Sequence, residues 1–101
     1  MKVVFLKIAE AELDHAVEYY ESKQPQLGLR FRREVLRSLR RIVEYPTAFA
    51  LLGHRSRRCL VAKFPYGVIY QHKQETSEIL IIAVAHLHRK PDYWLSHNLE
   101  K

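Results

Sequence analysis

The sequence predicts an α+β fold of order β-α-α-β-β-β, with a helical hairpin packed on one face of a mainly antiparallel sheet and a short C-terminal helix. Three observations predict it. Two stretches of helical apolar period stand close together early in the chain. The period then changes to that of strands, and the connections between those strands are too short for parallel crossovers. Helices segregated in sequence from a run of strands are the pattern of helices laid on a sheet face.

Val3 to Leu6 is short, apolar and β-branched at its start, and reads as the first strand. Ala9, Leu13, Ala16, Val17 and Tyr20 then recur at steps of three and four, an amphipathic helix that Gln24-Pro25 ends. In a second helix Phe31, Val35, Leu36, Leu39, Ile42 and Val43 supply the apolar face. Glu44-Tyr45-Pro46 marks its exit, because the residue before proline prefers extended backbone. The short link from Gln24 to Gly28 makes the pair an antiparallel hairpin. Thr47 to Arg57 reads as a loop. Cys59 to Phe64, Tyr66 to His72 and Glu78 to His86 read as three strands, joined at Pro65 and by the polar turn Gln74-Glu75-Thr76-Ser77, both pairings antiparallel. Strand order does not follow from these signals. Pro91 can open a terminal helix carrying Tyr93, Trp94 and Leu95.

At 101 residues the chain has the size of one domain, expected to span 1–101, and no repeat, low-complexity tract or linker divides it. Apolar residues make up 48% of it, the composition of a globular chain and not of a disordered one. The apolar stretch near Met1 is too short for a signal peptide and the lone Cys59 cannot form an internal disulfide, so a cytoplasmic location is expected. The longest later apolar run, Ile79 to Ala85, falls far below the roughly 20 residues that span a bilayer, so no membrane association is expected. Seventeen Lys and Arg, ten of them Arg, outnumber eleven Asp and Glu for a net charge of +6. That excess favours an anionic partner without choosing among nucleic acid, an acidic protein and an anionic surface, and it also serves plain solubility.

Chemistry-bearing residues concentrate in His86-Leu87-His88-Arg89-Lys90-Pro91-Asp92-Tyr93-Trp94, directly after the last strand. If the strand persists, His86 and His88 point the same way. Imidazole exchanges protons near neutral pH, and Arg89 or Tyr93 can stabilise a developing anion. His-x-His with Asp92 or His97 offers metal ligands, but no second compact cluster completes a recognisable site, so no metal is expected. Tyr93-Trp94 reads as an aromatic lid on the core in preference to a base-stacking platform. Arg30, Arg33, Arg37 and Arg40 or Arg41 share one side of the second helix, either as a docking face for an acidic partner or nucleic-acid backbone, or as a solvated face with Glu34 and Glu44 as counter-charges. Arg55, Arg57 and Arg58 are either a charged loop or part of a basic site shared with His86 and Arg89. Gly28, Gly53 and Gly67 are too scattered for a phosphate-cradling loop, so no nucleotide cofactor is expected, and Cys59 reads as a small core residue.

The element order, the run Arg57-Arg58-Cys59-Leu60-Val61-Ala62-Lys63-Phe64-Pro65-Tyr66-Gly67-Val68-Ile69-Tyr70 and the ending His86-x-x-Arg89-x-Pro91-x-Tyr93-Trp94 resemble the RelE/ParE superfamily of toxins from type II toxin-antitoxin modules, in particular its ParE-like, plasmid-stabilisation branch. The resemblance implies a cytoplasmic growth inhibitor, neutralised by a cognate acidic antitoxin whose extended segment wraps the toxin, as a homodimer or as a heterotetramer with the antitoxin. It also implies one of two activities. RelE-like members cut messenger RNA in the ribosome, and ParE-like members poison DNA gyrase without being hydrolases. Cleavage by 2′-hydroxyl attack needs a base, a donor for the leaving oxygen and cations around the phosphate. Against the RelE pattern, Gly67 stands where a catalytic Arg falls early in the third strand, and Leu87 replaces the Arg after the last strand. Arg89 and Tyr93 remain, and His86 can substitute as a base.

The first implication is therefore a gyrase-directed toxin that is not an enzyme. Arg57, Arg58, Arg89, Tyr93 and Trp94 form its contact patch, and Arg33 and Arg37 contribute to a partner-binding face. The second is a ribosome-dependent endoribonuclease using His86, Arg89, Tyr93 and Arg58. The third is an inert or purely protein-binding member of the fold.

Overall fold

The computed structural model describes residues 1–90 and 92–99. Strand β1 (Lys2–Phe5) leads into helices α1 (Lys7–Lys23) and α2 (Leu27–Glu44). Strands β2 (Ala50–Leu52), β3 (Ser56–Leu60), β4 (Tyr66–Lys73) and β5 (Glu78–His86) follow, with a 3-10 turn at Gln74–Thr76 and a 3-10 segment at Tyr93–Leu99. All five strands form one sheet in the order β1-β5-β4-β3-β2. The helical hairpin carries the chain from β1 across one face to the far edge. The meander then returns strand by strand until β5 lies parallel to β1, while every other pairing is antiparallel. This is the α+β fold the sequence predicts.

The segment Thr47 to Arg57, expected as a loop, contains β2 and the start of β3. Leu51 pairs with Arg57 and Leu52 with Ser56, and the hairpin turns at Gly53, whose φ of 76° suits a residue without Cβ. A three-residue strand is too short for a period to register. Strand β3 ends at Leu60, not Phe64, because the chain bends into the next hairpin around Lys63 at φ 72°. The last strand ends at His86, so His88 does not continue it. The terminal segment is 3-10 and not α-helical, and Pro91, expected to open it, lies outside the described residues.

Phe31, Val35 and Ile42 of α2 and Ala9, Leu13 and Ala16 of α1 are buried against Val68, Tyr70, Ile79 and Ile81 of the sheet. Phe31 anchors an aromatic cluster, its ring centroid 5.1 Å from those of Tyr20 and Phe64 and 4.9 Å from that of Tyr66. Leu36, which the helical period assigns to the apolar face, is 47% exposed and lines an open groove with Val3 of the outer strand β1. The hairpin closes tightly at Gly28. A Cβ there would lie 2.5 Å from the Val17 carbonyl oxygen, and the Glu21 carboxylate accepts the Gln26 and Gly28 amides at 2.9 and 3.0 Å, capping α2. Among the described residues no helix is long and apolar enough to cross a membrane.

Candidate functional site

Alternation along the strands decides which side chains meet. The Cys59 thiol approaches the Ser38 carbonyl and the Tyr70 hydroxyl donates to the Pro46 carbonyl at 2.6 Å, so these residues face α2. Arg57 shares that parity and donates to the Phe49 carbonyl at 2.8 Å. Arg58 has the opposite parity and emerges on the face away from the helices. Of the two arginines the sequence places near His86 and Arg89, the structure brings Arg58 and carries Arg57 elsewhere.

Arg58 reaches that corner across Gly67. A Cβ built on Gly67 would come within 2.8 Å of the Arg58 Cγ and Cδ, so the missing side chain is the space through which the arginine stem runs. It enters a cleft of about 110 Å³ lined by Arg58, His86, Arg89, Lys90, Tyr93 and Trp94. A second cleft of about 300 Å³ opens on the helix side, where His15, Tyr19 and Tyr66 join His86 and Arg89. His86 and Arg89 line both. The His86 Nδ1 accepts the His88 backbone N–H at 3.0 Å, which leaves Nε2 to carry the proton of the neutral ring. Trp94 is 7% exposed, sealing the sheet beside Ile69 and Ala85 as the lid its position suggests.

Glu12 of α1, which sequence reasoning passed over, organises the corner. Strand β1 covers β5 only as far as Ile81, so the Val84 amide has no strand partner on that side. Glu12 Oε1 accepts it at 2.9 Å. Its Oε2 accepts the Tyr93 hydroxyl at 2.8 Å and meets His97 Nε2 at 3.1 Å. One carboxylate thus ties α1, β5 and the terminal segment together. A signal was available: Glu12 stands three residues after Ala9 and four before Ala16, a charge set in the apolar stripe. Burial, and then the bond to Glu12, push the Tyr93 phenol far above its ordinary range. The Arg89 guanidinium stacks over the Tyr93 ring at 4.0 Å.

The α2 arginines lie apart from this corner. Arg33 is exposed, and Arg37 binds the buried Glu34 carboxylate at 2.8 Å, the local counter-charge that helix spacing suggests. Among the described residues no three His, Cys, Asp or Glu side chains converge as a metal site.

Residues 3–91 match the family model of the ParE toxin of type II toxin-antitoxin systems, parDE. The chain belongs to the ParE toxin family. No protein of curated function matches the sequence. Among solved structures, the ParE-family chain is similar to one from the chromosomal ParDE toxin-antitoxin system of P. aeruginosa, with a TM-score of 0.74 and 17% identity over 87% of this chain and 97% of that one. At that identity the likeness speaks for the shared fold. Family and fold together make this ParE-family protein a type II toxin.

Proposed function

We propose that the protein arrests growth by binding DNA gyrase through the Arg58, Arg89, Tyr93 and Trp94 corner, without hydrolysis of its own, and that a cognate acidic antitoxin neutralises it in the cytoplasm. The observation that carries this reading is the commitment of Tyr93. Its hydroxyl donates to Glu12, its ring is covered by Arg89 and its phenol is held far above neutral pH. Such a group is a poor proton acceptor and a poor proton donor near pH 7, and serves better as a rigid post that presents Arg89. Two cations on a pre-ordered frame suit recognition of an anionic surface. Arg57, expected in the same patch, is not part of it. The test is purified toxin added to gyrase in a supercoiling assay. Inhibition, lost in Arg58→Ala/Arg89→Ala, is the expected result, and unaffected supercoiling by soluble wild-type protein would end the reading.

A second reading has one observation in its favour. Although Gly67 leaves the catalytic-arginine position of the RelE pattern empty in sequence, Arg58 runs through that space from the neighbouring strand, beside His86. A ribosome-dependent endoribonuclease would use His86 as base and Arg58 and Arg89 as phosphate cations. Cleavage of ribosome-bound message that vanishes in His86→Ala would promote it over the first.

A further inference from the structure

A larger cleft, of about 680 Å³, lies far from the His86 corner, between the β2–β3 hairpin and the end of β4. Strand β4 runs from Tyr66, opposite His86, to Lys73 in this cleft; the steps between its 8 residues, at about 3.3 Å each, put the two sites about 23 Å apart along the strand. Arg55, Arg57 and Lys73 converge on it, with His54 and His72 beside them. Elsewhere Arg32, Arg37 and Lys63 form ion pairs with carboxylates, whereas among the described residues none of these three cations does, and Glu75 is the one carboxylate on the rim. Arg57 is held in place by its bond to the Phe49 carbonyl, which engages one of its five N–H donors and leaves others available.

We propose that this cleft binds a phosphate-bearing ligand of nucleotide size, its phosphates held by Arg55, Arg57 and Lys73. Three cations that make no ion pair among the described residues match the charge of a di- or triphosphate, and two guanidinium forks match phosphate geometry. The volume falls in the range of small-ligand sites. Thr47 and Gln74 add hydrogen-bonding groups, and Leu51, 57% exposed, offers an apolar wall for a base or sugar. The hairpin on one side and the 3-10 turn on the other bound the cleft, which favours a short ligand over a continuous nucleic-acid strand. The proposal does not depend on the gyrase reading.

The test is calorimetric and NMR titration of the full chain with pyrophosphate, ATP, citrate and a short DNA duplex. Saturable one-to-one binding of pyrophosphate and ATP is expected, with amide shifts concentrated at Arg55, Arg57 and residues 71–75. Arg55→Ala/Lys73→Ala should weaken it by about tenfold or more, while Lys23→Ala changes it less than about twofold. Both substituted side chains lie outside the core, and an unchanged melting temperature checks folding. Arg57→Lys, which keeps the charge and loses the fork, should weaken binding by about threefold or more. The proposal is overturned if nothing saturates, if citrate binds as well as pyrophosphate, if the shifts centre on Arg58 and Arg89, or if DNA alone binds.

Discussion

Arg58 enters the His86 corner because residue 67 carries no side chain. In sequence Gly67 reads as a lost functional arginine; in the fold it is the vacancy that another arginine occupies, a relation that only the β3–β4 register reveals. Gly67→Ala places a Cβ against a flexible stem and not against backbone, at a position without a positive φ. Unfolding free energy should therefore change by less than about 1 kcal/mol. Displacing Arg58 would remove a charge-assisted contact from the corner proposed to bind gyrase, so growth inhibition in an expression assay should fall by about tenfold or more. Loss of folding instead of loss of toxicity would show that the space serves packing alone. Tyr70 supports a second prediction. Its phenol is buried and pushed up to about 12, chiefly by desolvation, with Arg57 pulling the other way. An unfolded tyrosine ionises near pH 10, so above that pH the unfolded chain releases its proton first and is favoured. The stability contributed by neutral Tyr70 is complete below about pH 10 and declines as pH rises through about 12. In Tyr70→Phe, circular dichroism should show a shallower alkaline decline, together with a loss of about 1 kcal/mol at neutral pH from the missing bond to Pro46.

At the scale of elements, the terminal 3-10 segment has little structure of its own to hold it, since short 3-10 runs have poor hydrogen-bond geometry. It is fixed by Trp94 on the sheet and by Glu12 at the edge of β5. The helices and long strands were legible because their apolar periods extend over eight residues or more. Strand β2 was not, because three residues carry no period; Glu12 stood out as a charge in an apolar stripe, but its partners did not, because they lie more than seventy positions away. Glu12→Gln keeps the shape but leaves one amide oxygen to serve three donors, with an NH₂ facing the rest. The expected cost is about 1 to 3 kcal/mol, from one or two donors left unsatisfied. Amide exchange over Tyr93–Leu99 should accelerate by about tenfold or more, while β4 and β5 retain their protection. Uniform acceleration across the sheet would make Glu12 a general stability residue and not the anchor of the terminal segment.

At the scale of the whole molecule, an outer strand, an apolar groove and part of the α2 arginine stripe stand side by side. Strand β1 is an outer strand whose far edge pairs with no other strand among the described residues, and Lys2 and Lys7 flank it. Beside it Val3, Leu36, Leu39 and Val43 line a largely apolar groove of about 650 Å³, with Arg40 and Glu44 at its margin and Arg33 exposed on the same helix. An extended, acidic segment with alternating apolar residues fits all three features: it can add a strand to β1, place side chains in the groove and meet the α2 arginines. On this reading the proposed antitoxin would seat here, apart from the corner proposed for gyrase, so neutralisation need not occlude that corner directly. Leu36→Asp alters a side chain already half-exposed, sparing the fold while placing a charge against the acidic segment. Affinity for the antitoxin should drop by about tenfold or more, with gyrase inhibition by the free toxin unchanged. Raising salt should weaken the wild-type complex through its charged margin, yet leave amides of Lys2–Phe5 protected in the bound state. Full antitoxin affinity in Leu36→Asp, or no added protection of β1, would place the antitoxin on another face.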